Sequence, residues 1–324
     1  MTTTTAPGLL PHSVVPPTVM PFRAGDEPDW DSLAAEATWL VDQGVDGLWL
    51  NGSTGEFHAL TDAERTRVVS TVVAAVGDRG LPIVNQVGAT STRLAARLAA
   101  DAVDAGATTL SVVLPYYFPY EQDECLEYVR AVRAAGGGVP LYLYQVPVMT
   151  KTMASESLIL RLLDEGLIDG MKDSYGNLTW FRYLMETVAA RGLSLPSFIG
   201  DSTLLTASMA AGGVGTITAA AVLLPRHIAR NVRAVHDGDW DLALRLQSDT
   251  VRFLQAMQPP SRPQVTRIAT IKALLADLGV IAEATLAAPF RQLDAAERDH
   301  LRQHALPLME RLERDAAEVS VEAR

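Results

Sequence analysis

The 324-residue chain has one cysteine, Cys125, and only three lysines among its 27 basic residues. A single cysteine excludes an internal disulfide and is typical of a reducing cytoplasm. No apolar stretch reaches the roughly 18–20 residues that a membrane-spanning helix needs. The formal net charge of −11 argues against nucleic acids and anionic membranes as partners. These shortages predict a cytoplasmic protein that acts on a small molecule.

Short apolar segments alternate with amphipathic helical ones through residues 14–224. Eight of the apolar segments are candidate parallel strands, at residues 14–22, 47–52, 81–88, 109–115, 140–147, 168–174, 197–201 and 213–220. Eight β–α units predict a (β/α)8 TIM barrel, with a doubly wound open sheet as the alternative. We expect residues 1–13 to be a flexible leader and residues 225–324 to be a C-terminal helical extension packed on the barrel.

Lys172 stands at the end of the sixth candidate strand, in the sequence IDGMKDSYGN. Reactive side chains of a (β/α)8 barrel collect at the C-terminal ends of the strands. An ion pair with Asp173, or with a glutamate across the barrel mouth, is the structural alternative, but arginine would serve that purpose equally well and is the basic residue that this chain prefers. Lysine alone offers an amine that burial can deprotonate and that can form a Schiff base with a ketone. Lys172 is therefore the candidate nucleophile.

Two other strand ends carry residues suited to the same chemistry. Tyr144 precedes Lys172 by 28 residues, about one β–α unit, which predicts equivalent heights on adjacent strands. Its phenol could move the protons that Schiff-base formation requires, although filling the barrel interior is an alternative role. In the sequence NGSTGE, Ser53 and Thr54 could bind a carboxylate near a helix N-terminus. An ordinary capped turn is the alternative there.

With these residues in view, the chain resembles the dihydrodipicolinate synthase / N-acetylneuraminate lyase family of class I pyruvate aldolases. The resemblance covers about Val14 to Leu224, and its motifs are GSTGE, YQVPVMT, GMKDSYGN, GDS and GGVGTIT. It implies a barrel enzyme that needs no metal or organic cofactor, because Lys172 forms the imine with pyruvate or with the 2-oxo end of a longer substrate. It also implies a homo-oligomer, a dimer or a tetramer built from tight dimers.

The resemblance implies roles for the other site residues. Tyr144 would relay protons, and Ser53 would connect it to Tyr117, which the family usually inserts from a neighbouring subunit. The adjacent Tyr116 is the alternative for that position. The residues that would bind the substrate are Gly52, Thr54, Gly200, Ile217 and Met149.

Three departures from the family's pattern narrow the predicted function. Gln145 replaces an asparagine, Lys151 replaces a glycine, and Met149 stands where the true synthases carry an arginine. We therefore predict a 2-oxo-acid aldolase that cleaves or forms a carbon–carbon bond between pyruvate and an aldehyde. The same imine would also serve a dehydratase of 2-oxo-3-deoxy sugar acids or a hydratase-aldolase of unsaturated 2-oxo acids. Dihydrodipicolinate synthase and a non-catalytic 2-oxo-acid sensor rank below these.

Overall fold

The computed structural model describes residues 8–262 and 266–322, and these residues contain a central parallel sheet of seven strands. A short antiparallel ribbon of β1 (Phe22–Arg23) and β2 (Glu27–Pro28) precedes this sheet. The seven strands follow one another in the sheet in chain order, as β3 (Leu48–Leu50), β4 (Ile83–Gln86), β5 (Thr109–Val113), β6 (Leu141–Gln145), β7 (Gly170–Asp173), β8 (Ser197–Ile199) and β9 (Gly215–Thr216).

Thirteen α-helices occur in the described part of the chain. They are α1 (Trp30–Asp42), α2 (Asp62–Val76), α3 (Thr92–Asp104), α4 (Gln122–Ala135), α5 (Pro147–Thr150), α6 (Glu156–Asp164), α7 (Leu178–Ala190), α8 (Leu205–Ala210), α9 (Pro225–His236), α10 (Trp240–Ala256), α11 (Arg267–Asp277), α12 (Ala295–His300) and α13 (Leu306–Glu322). In residues 8–262 and 266–322, none of these helices is long and apolar enough to cross a membrane. A capping box begins α2, because Thr61 and Glu64 cap this helix reciprocally.

The segment VVPPT closes the sheet into a barrel. The Val15 N–H donates to the Thr216 carbonyl of β9 at 2.9 Å, and the Thr18 N–H donates to the Trp49 carbonyl of β3 at 3.0 Å. The two edges of the sheet are thereby joined, and the (β/α)8 barrel is confirmed. The prediction of a regular strand over residues 14–22 is wrong, because the two central prolines lack N–H donors and the pairing is reduced to isolated bridges.

Large side chains fill the barrel interior. Trp49, Tyr142, Phe198 and Ile217 are buried there, and Leu9 packs against the same cluster. Each such side chain stabilises the fold by roughly 1.5–3 kcal/mol through its removal from water. These packed side chains support the C-terminal ends of the strands from within the barrel. Of the predicted leader, residues 1–7 lie outside the described residues.

The C-terminal helices share a second apolar core with the end of the barrel. Phe253 of α10 and Leu274 of α11 are fully buried in it, together with Val14 from the closing segment. The helix α11 also carries one of the three lysines, Lys272, whose side chain has no exposed surface. The loop after α11 returns toward the barrel, where the Ala282 N–H donates to the Ser32 hydroxyl of α1 at 2.9 Å.

Candidate active site

Lys172 and Tyr144 lie side by side at the mouth of the barrel. Strands β6 and β7 pair with Tyr144 directly opposite Lys172, so the predicted equality of height is confirmed. Lys172 is 5% exposed, and its Nζ lies 4.2 Å from the centroid of the Tyr144 ring. The same Nζ lies 4.6 Å from the centroid of the Trp49 ring. The amine therefore lies against the faces of two aromatic rings at the C-terminal end of the strands.

The surroundings of Lys172 favour its neutral amine. Burial lowers the pKa of Lys172, and the Tyr144 phenol is the group that acts against this shift. Asp173 follows in the strand and therefore faces the other side of the sheet. Its Oδ1 accepts the Tyr175 N–H at 3.0 Å. Burial, together with the negative charge of Asp201, raises the pKa of Asp173. The alternative of an ion pair between Lys172 and Asp173 is therefore wrong.

Tyr144 is placed to exchange protons with its neighbours. Burial disfavours the phenolate, but the charge of Lys172 and hydrogen bonds with Ser53, Ser174 and Lys172 outweigh it and lower the pKa of Tyr144. The predicted contact between Tyr144 and Ser53 is thus present within one chain. A phenol with a lowered pKa between an amine and two hydroxyls is suited to general acid–base catalysis.

The loop of residues 51–56, here the cradle loop, is held at both ends by residues in the left-handed region. Asn51 has φ 53° and Glu56 has φ 46°, conformations that non-glycine residues adopt at a cost. The Asn51 side chain donates from Nδ2 to the Arg65 carbonyl at 2.9 Å and to Asn85 Oδ1 at 2.7 Å. These contacts hold the start of the loop against α2 and β4.

The far end of the cradle loop is tied to the C-terminal helices. Glu56 forms a buried ion pair with Lys272 and accepts the Ala287 N–H at 3.1 Å. Lys272 also donates to the Thr285 carbonyl at 2.8 Å, and its Nζ lies 4.6 Å from the centroid of the Phe22 ring. Sequence reasoning missed this role of Glu56, which was noted only as part of NGSTGE. The scarcity of lysine is a signal that could have drawn attention to Lys272.

The predicted carboxylate-binding residues lie in the cradle loop above Trp49. Ser53 and Thr54 are partly exposed, whereas Gly52 is buried. A Cβ at Gly52 would lie 3.0 Å from Trp49 Nε1, which explains the need for glycine at this close approach. The Glu56 N–H donates to the Ser53 carbonyl at 3.1 Å and fixes the turn of the loop. Thr54 and Ser53 therefore stand at the open side of a rigid turn.

Gly200 and Ile217 follow β8 and β9 at the same end of the barrel. The Gly200 N–H donates to the Asp173 carbonyl at 2.6 Å, and the Ile217 N–H donates to the Ile199 carbonyl at 2.9 Å. A Cβ at Gly200 would lie 1.9 Å from Ser174 Oγ, so this position has no room for a side chain. The structure thus places backbone rather than side chain beside Ser174.

Tyr117 and Met149 lie at the rim and not beside Lys172 in this single chain. Tyr117 is 70% exposed with φ 90°, and Met149 is 63% exposed. Tyr116 is partly buried, and its ring centroid lies 6.2 Å from that of Phe57. The geometry therefore separates the two tyrosines, leaving Tyr117 as the one that is free to reach another molecule.

Sequence reasoning also missed Trp49 and Ser174. Trp49 faces the interior of the barrel, which the alternation of GLWLNG could have indicated because its neighbours in β3 face the helices. Ser174 directly follows β7 and contacts the Tyr144 phenol. Its position two residues after Lys172 was the available signal. Both residues complete the surroundings of the amine and the phenol.

A closed (β/α)8 barrel with a buried lysine next to a phenol has the arrangement that a class I Schiff-base lyase requires. Residues 11–306 match the Dihydrodipicolinate synthetase family, and the chain belongs to this family. It is accordingly a class I pyruvate-dependent lyase. Enzymes of this family work through a covalent lysine Schiff base and use no metal or organic cofactor.

Several relatives and solved structures are similar over nearly their whole length. A DapA-like lyase of Halobacterium salinarum is 34% identical over 287 residues, which cover 89% of this chain and 90% of the relative. The 4-hydroxy-tetrahydrodipicolinate synthase of Thermomicrobium roseum is 32% identical over 87% of this chain and 90% of its own. YagE from E. coli K12, solved in complex with pyruvate, has a TM-score of 0.84 at 26% identity, with 94% and 99% of the two chains covered. The sialic acid aldolase of Ruminococcus gnavus, at 18% identity and a TM-score of 0.86 over 94% and 97%, shows the same fold.

Proposed function

We propose that this protein is a 2-oxo-acid aldolase in which Lys172 forms an imine with pyruvate, or with the 2-oxo end of a longer substrate. The observation that carries the proposal is the buried Lys172 amine, paired in register with Tyr144 and free of any carboxylate partner in the described residues. An ammonium in an ion pair would resist deprotonation, whereas burial without a carboxylate partner lowers the pKa of this amine toward the neutral form that attacks a carbonyl.

The reaction follows from the groups around the amine. The Lys172 Nζ adds to the ketone carbon, and the resulting carbinolamine loses water as Tyr144 supplies a proton to the departing hydroxyl. The protonated imine then accepts the electron pair of the bond between C3 and C4 of the substrate. Tyr144 takes the proton of the 4-hydroxyl as this bond breaks, so that the aldehyde leaves and an enamine forms. Reprotonation and hydrolysis release pyruvate and restore the amine, and the reverse sequence joins pyruvate to an aldehyde.

The cradle loop is proposed to bind the carboxylate of the 2-oxo acid. This carboxylate is one bond from the ketone, so its site must lie within a few ångströms of Lys172. The hydrogen bond with Ser53 that lowers the pKa of Tyr144 supports a position of the cradle loop next to the reacting centre. Thr54 and Gly52 would donate to the carboxylate, while the backbone at Gly200 and Ile217 would line the opposite wall. A fixed turn minimises the reorganisation that binding requires.

Tyr117 is proposed to enter the active site of a neighbouring subunit and complete the relay through Ser53. Four large apolar side chains in the segments that follow β5 and β6 are exposed, Tyr117, Phe118, Val148 and Met149, with exposures of 60% to 78%. Exposed apolar groups of this size are typical of interaction surfaces. The charged variant Phe118→Asp should convert the oligomer to monomers in light scattering and reduce turnover. A monomeric wild-type protein with full activity would contradict this assembly.

The proposal also concerns which aldehyde the enzyme uses, and whether carbon–carbon bond cleavage or elimination of water follows imine formation. The exposed Met149 at the rim supports an acceptor with little negative charge, and it is the reason to rank the synthase reaction second, although several relatives carry that name. Dehydration of a 2-oxo-3-deoxy sugar acid would use the same imine. The single free cysteine, Cys125, is buried and supports a cytoplasmic location.

Borohydride trapping tests the central proposal. The protein is incubated with pyruvate, reduced, digested and examined by mass spectrometry for a pyruvate-derived adduct. We expect the adduct on the peptide containing Lys172 and none on the peptide containing Lys272, which is an internal control because its lysine is also buried. Absence of the adduct, or an unchanged adduct in Lys172→Ala, would refute the imine. Assays of pyruvate release, water loss and aspartate semialdehyde consumption over a substrate panel then separate the three reactions.

A further inference from the structure

We propose that Trp49 is a catalytic residue whose indole face, together with the Tyr144 ring, stabilises the positive charge of the protonated imine on Lys172. The inference rests on the proposed function, since it concerns the charge that the imine carries. It adds a residue that lies below the cradle loop and that holds neither the substrate carboxylate nor a transferred proton.

The geometry around the Lys172 amine supports this role. The Lys172 Nζ lies 4.6 Å from the centroid of the Trp49 ring and 4.2 Å from that of the Tyr144 ring. Both distances are within the ~6 Å over which a cation is attracted to a ring face, and tryptophan is the strongest of these partners. The two rings meet edge to face at 81°, with centroids 5.7 Å apart. The amine therefore lies in the angle between two ring faces.

The charge of the imine gains from such a partner because no carboxylate side chain in residues 8–262 and 266–322 pairs with Lys172. Among the described residues, the titratable group that favours the charged form of Lys172 is the Tyr144 phenol, which must itself take up and release protons. A carboxylate would stabilise the ammonium before reaction and so suppress the attack on the ketone. A ring face interacts weakly with the neutral amine and more strongly with the cation. Its contribution therefore increases as the protonated imine forms.

The indole is fixed in the position that this role requires. Trp49 is fully buried, and its ring is in close contact with the backbone of the cradle loop, where a Cβ at Gly52 would lie 3.0 Å from Nε1 and 3.1 Å from Cδ1. The Trp49 backbone is held on both sides, by the register with Val84 in β4 and by the bond from Thr18. The ring face is thus presented without reorganisation during the reaction.

Two substitutions separate the ring face from the volume of the side chain. Trp49→Leu removes the ring, and Trp49→Phe keeps a smaller one. We expect kcat to fall about tenfold in the leucine variant and about two- to threefold in the phenylalanine variant, in keeping with the strength of desolvated cation–ring contacts. The alkaline limb of the kcat profile should move to lower pH in both, because an imine without this stabilisation loses its proton earlier.

A second readout follows the imine itself. The ring face stabilises the protonated imine more than the neutral amine, so borohydride should trap less pyruvate adduct in Trp49→Leu than in the wild type, with Trp49→Phe between them. Equal trapping in the wild type and Trp49→Leu, equal losses for phenylalanine and leucine, or an unchanged kcat in Trp49→Leu would each overturn the proposal. If the leucine variant does not fold, the acidic shift of the alkaline limb in Trp49→Phe decides alone.

The outcome for Trp49 can be distinguished from that of the proposed function. A wild-type protein that forms no adduct with pyruvate removes the imine itself and with it any role of Trp49. A wild-type adduct on Lys172 combined with unaffected Trp49 variants rejects only the role of the indole.

Discussion

Two buried lysines of this protein have similar surroundings but different partners. Lys172 and Lys272 are both buried, and the Nζ of each lies 4.6 Å from the centroid of an aromatic ring, that of Trp49 or of Phe22. Lys272, however, pairs with the carboxylate of Glu56. Burial lowers the pKa of both amines, but in Lys272 the charge and hydrogen bond of Glu56 act against this shift. In the part of the chain that the structure describes, Lys172 has no carboxylate partner like Glu56, and the nucleophilic role that we propose for Lys172 depends on this difference.

The substitution of Lys172 should have the largest effect on activity. In Lys172→Met we expect the pyruvate adduct to disappear and kcat to fall by four or more orders of magnitude, because no amine remains to form the imine. The unfolding midpoint should stay constant or rise, since an unpaired buried amine is replaced by an apolar side chain. Thermal unfolding of the same samples checks this. A large loss of stability would show that Lys172 has an anionic partner after all.

Tyr144→Phe sharpens the comparison by keeping the ring and removing the hydroxyl. We expect kcat to fall by about 10²- to 10⁴-fold, the range for loss of a general acid–base group. Steady-state kinetics measures this, and Tyr142→Phe, a change deeper in the barrel, serves as the matched control with little effect. A Tyr144→Phe variant with full turnover would remove the phenol from the proton relay.

Lys272→Met should reduce stability, and we expect any effect on activity to act through the cradle loop that Glu56 anchors. Removal of one partner leaves the Glu56 carboxylate buried without its cation, and we expect the free energy of unfolding to fall by about 3–5 kcal/mol. The double variant Glu56→Gln/Lys272→Met should recover a large part of this loss. Denaturant titrations of the single and double variants measure both values. Identical losses in the two would contradict a buried charge as the cause.

Glu36 gives the smallest expected effect, on the pH dependence of stability. Burial, opposed by the Val19 N–H and by Lys272, raises the pKa of Glu36 to about 8. The folded protein therefore holds a proton that the unfolded chain has lost, and stability should decrease as pH rises from about 4.5 to about 8. Glu36→Gln should reduce this decrease by at least about 1 kcal/mol between pH 5 and pH 8.5. A slope that is unchanged in the variant would assign it to other groups.

The chain order of the strands and the pairing of Tyr144 with Lys172 could be predicted from the sequence, because the spacing of β–α units translates directly into neighbouring strands. The irregular pairing of the closing segment was not predicted, because the hydrophobic pattern of VVPPT is strand-like. Only the missing N–H groups of its prolines limit the pairing to isolated bridges. The ion pair between Glu56 and Lys272 could not be predicted from the sequence either. The two residues are 216 positions apart, and no local periodicity relates a loop to a distant helix. The contacts of Trp49 could be identified only from the closed barrel in the structure.

The cradle loop has a consequence for building hybrid enzymes from relatives of this chain. Its first anchor, Asn51, binds elements of the barrel, whereas its second anchor, Glu56, binds Lys272 and Ala287 from beyond the barrel. The barrel and the C-terminal helices therefore cannot be taken from different parents independently of each other. A recombination point placed between α9 and α11 would join a loop from one parent to an anchor from the other. Such a hybrid would keep every residue near Lys172 and still lose the shape of the proposed carboxylate site.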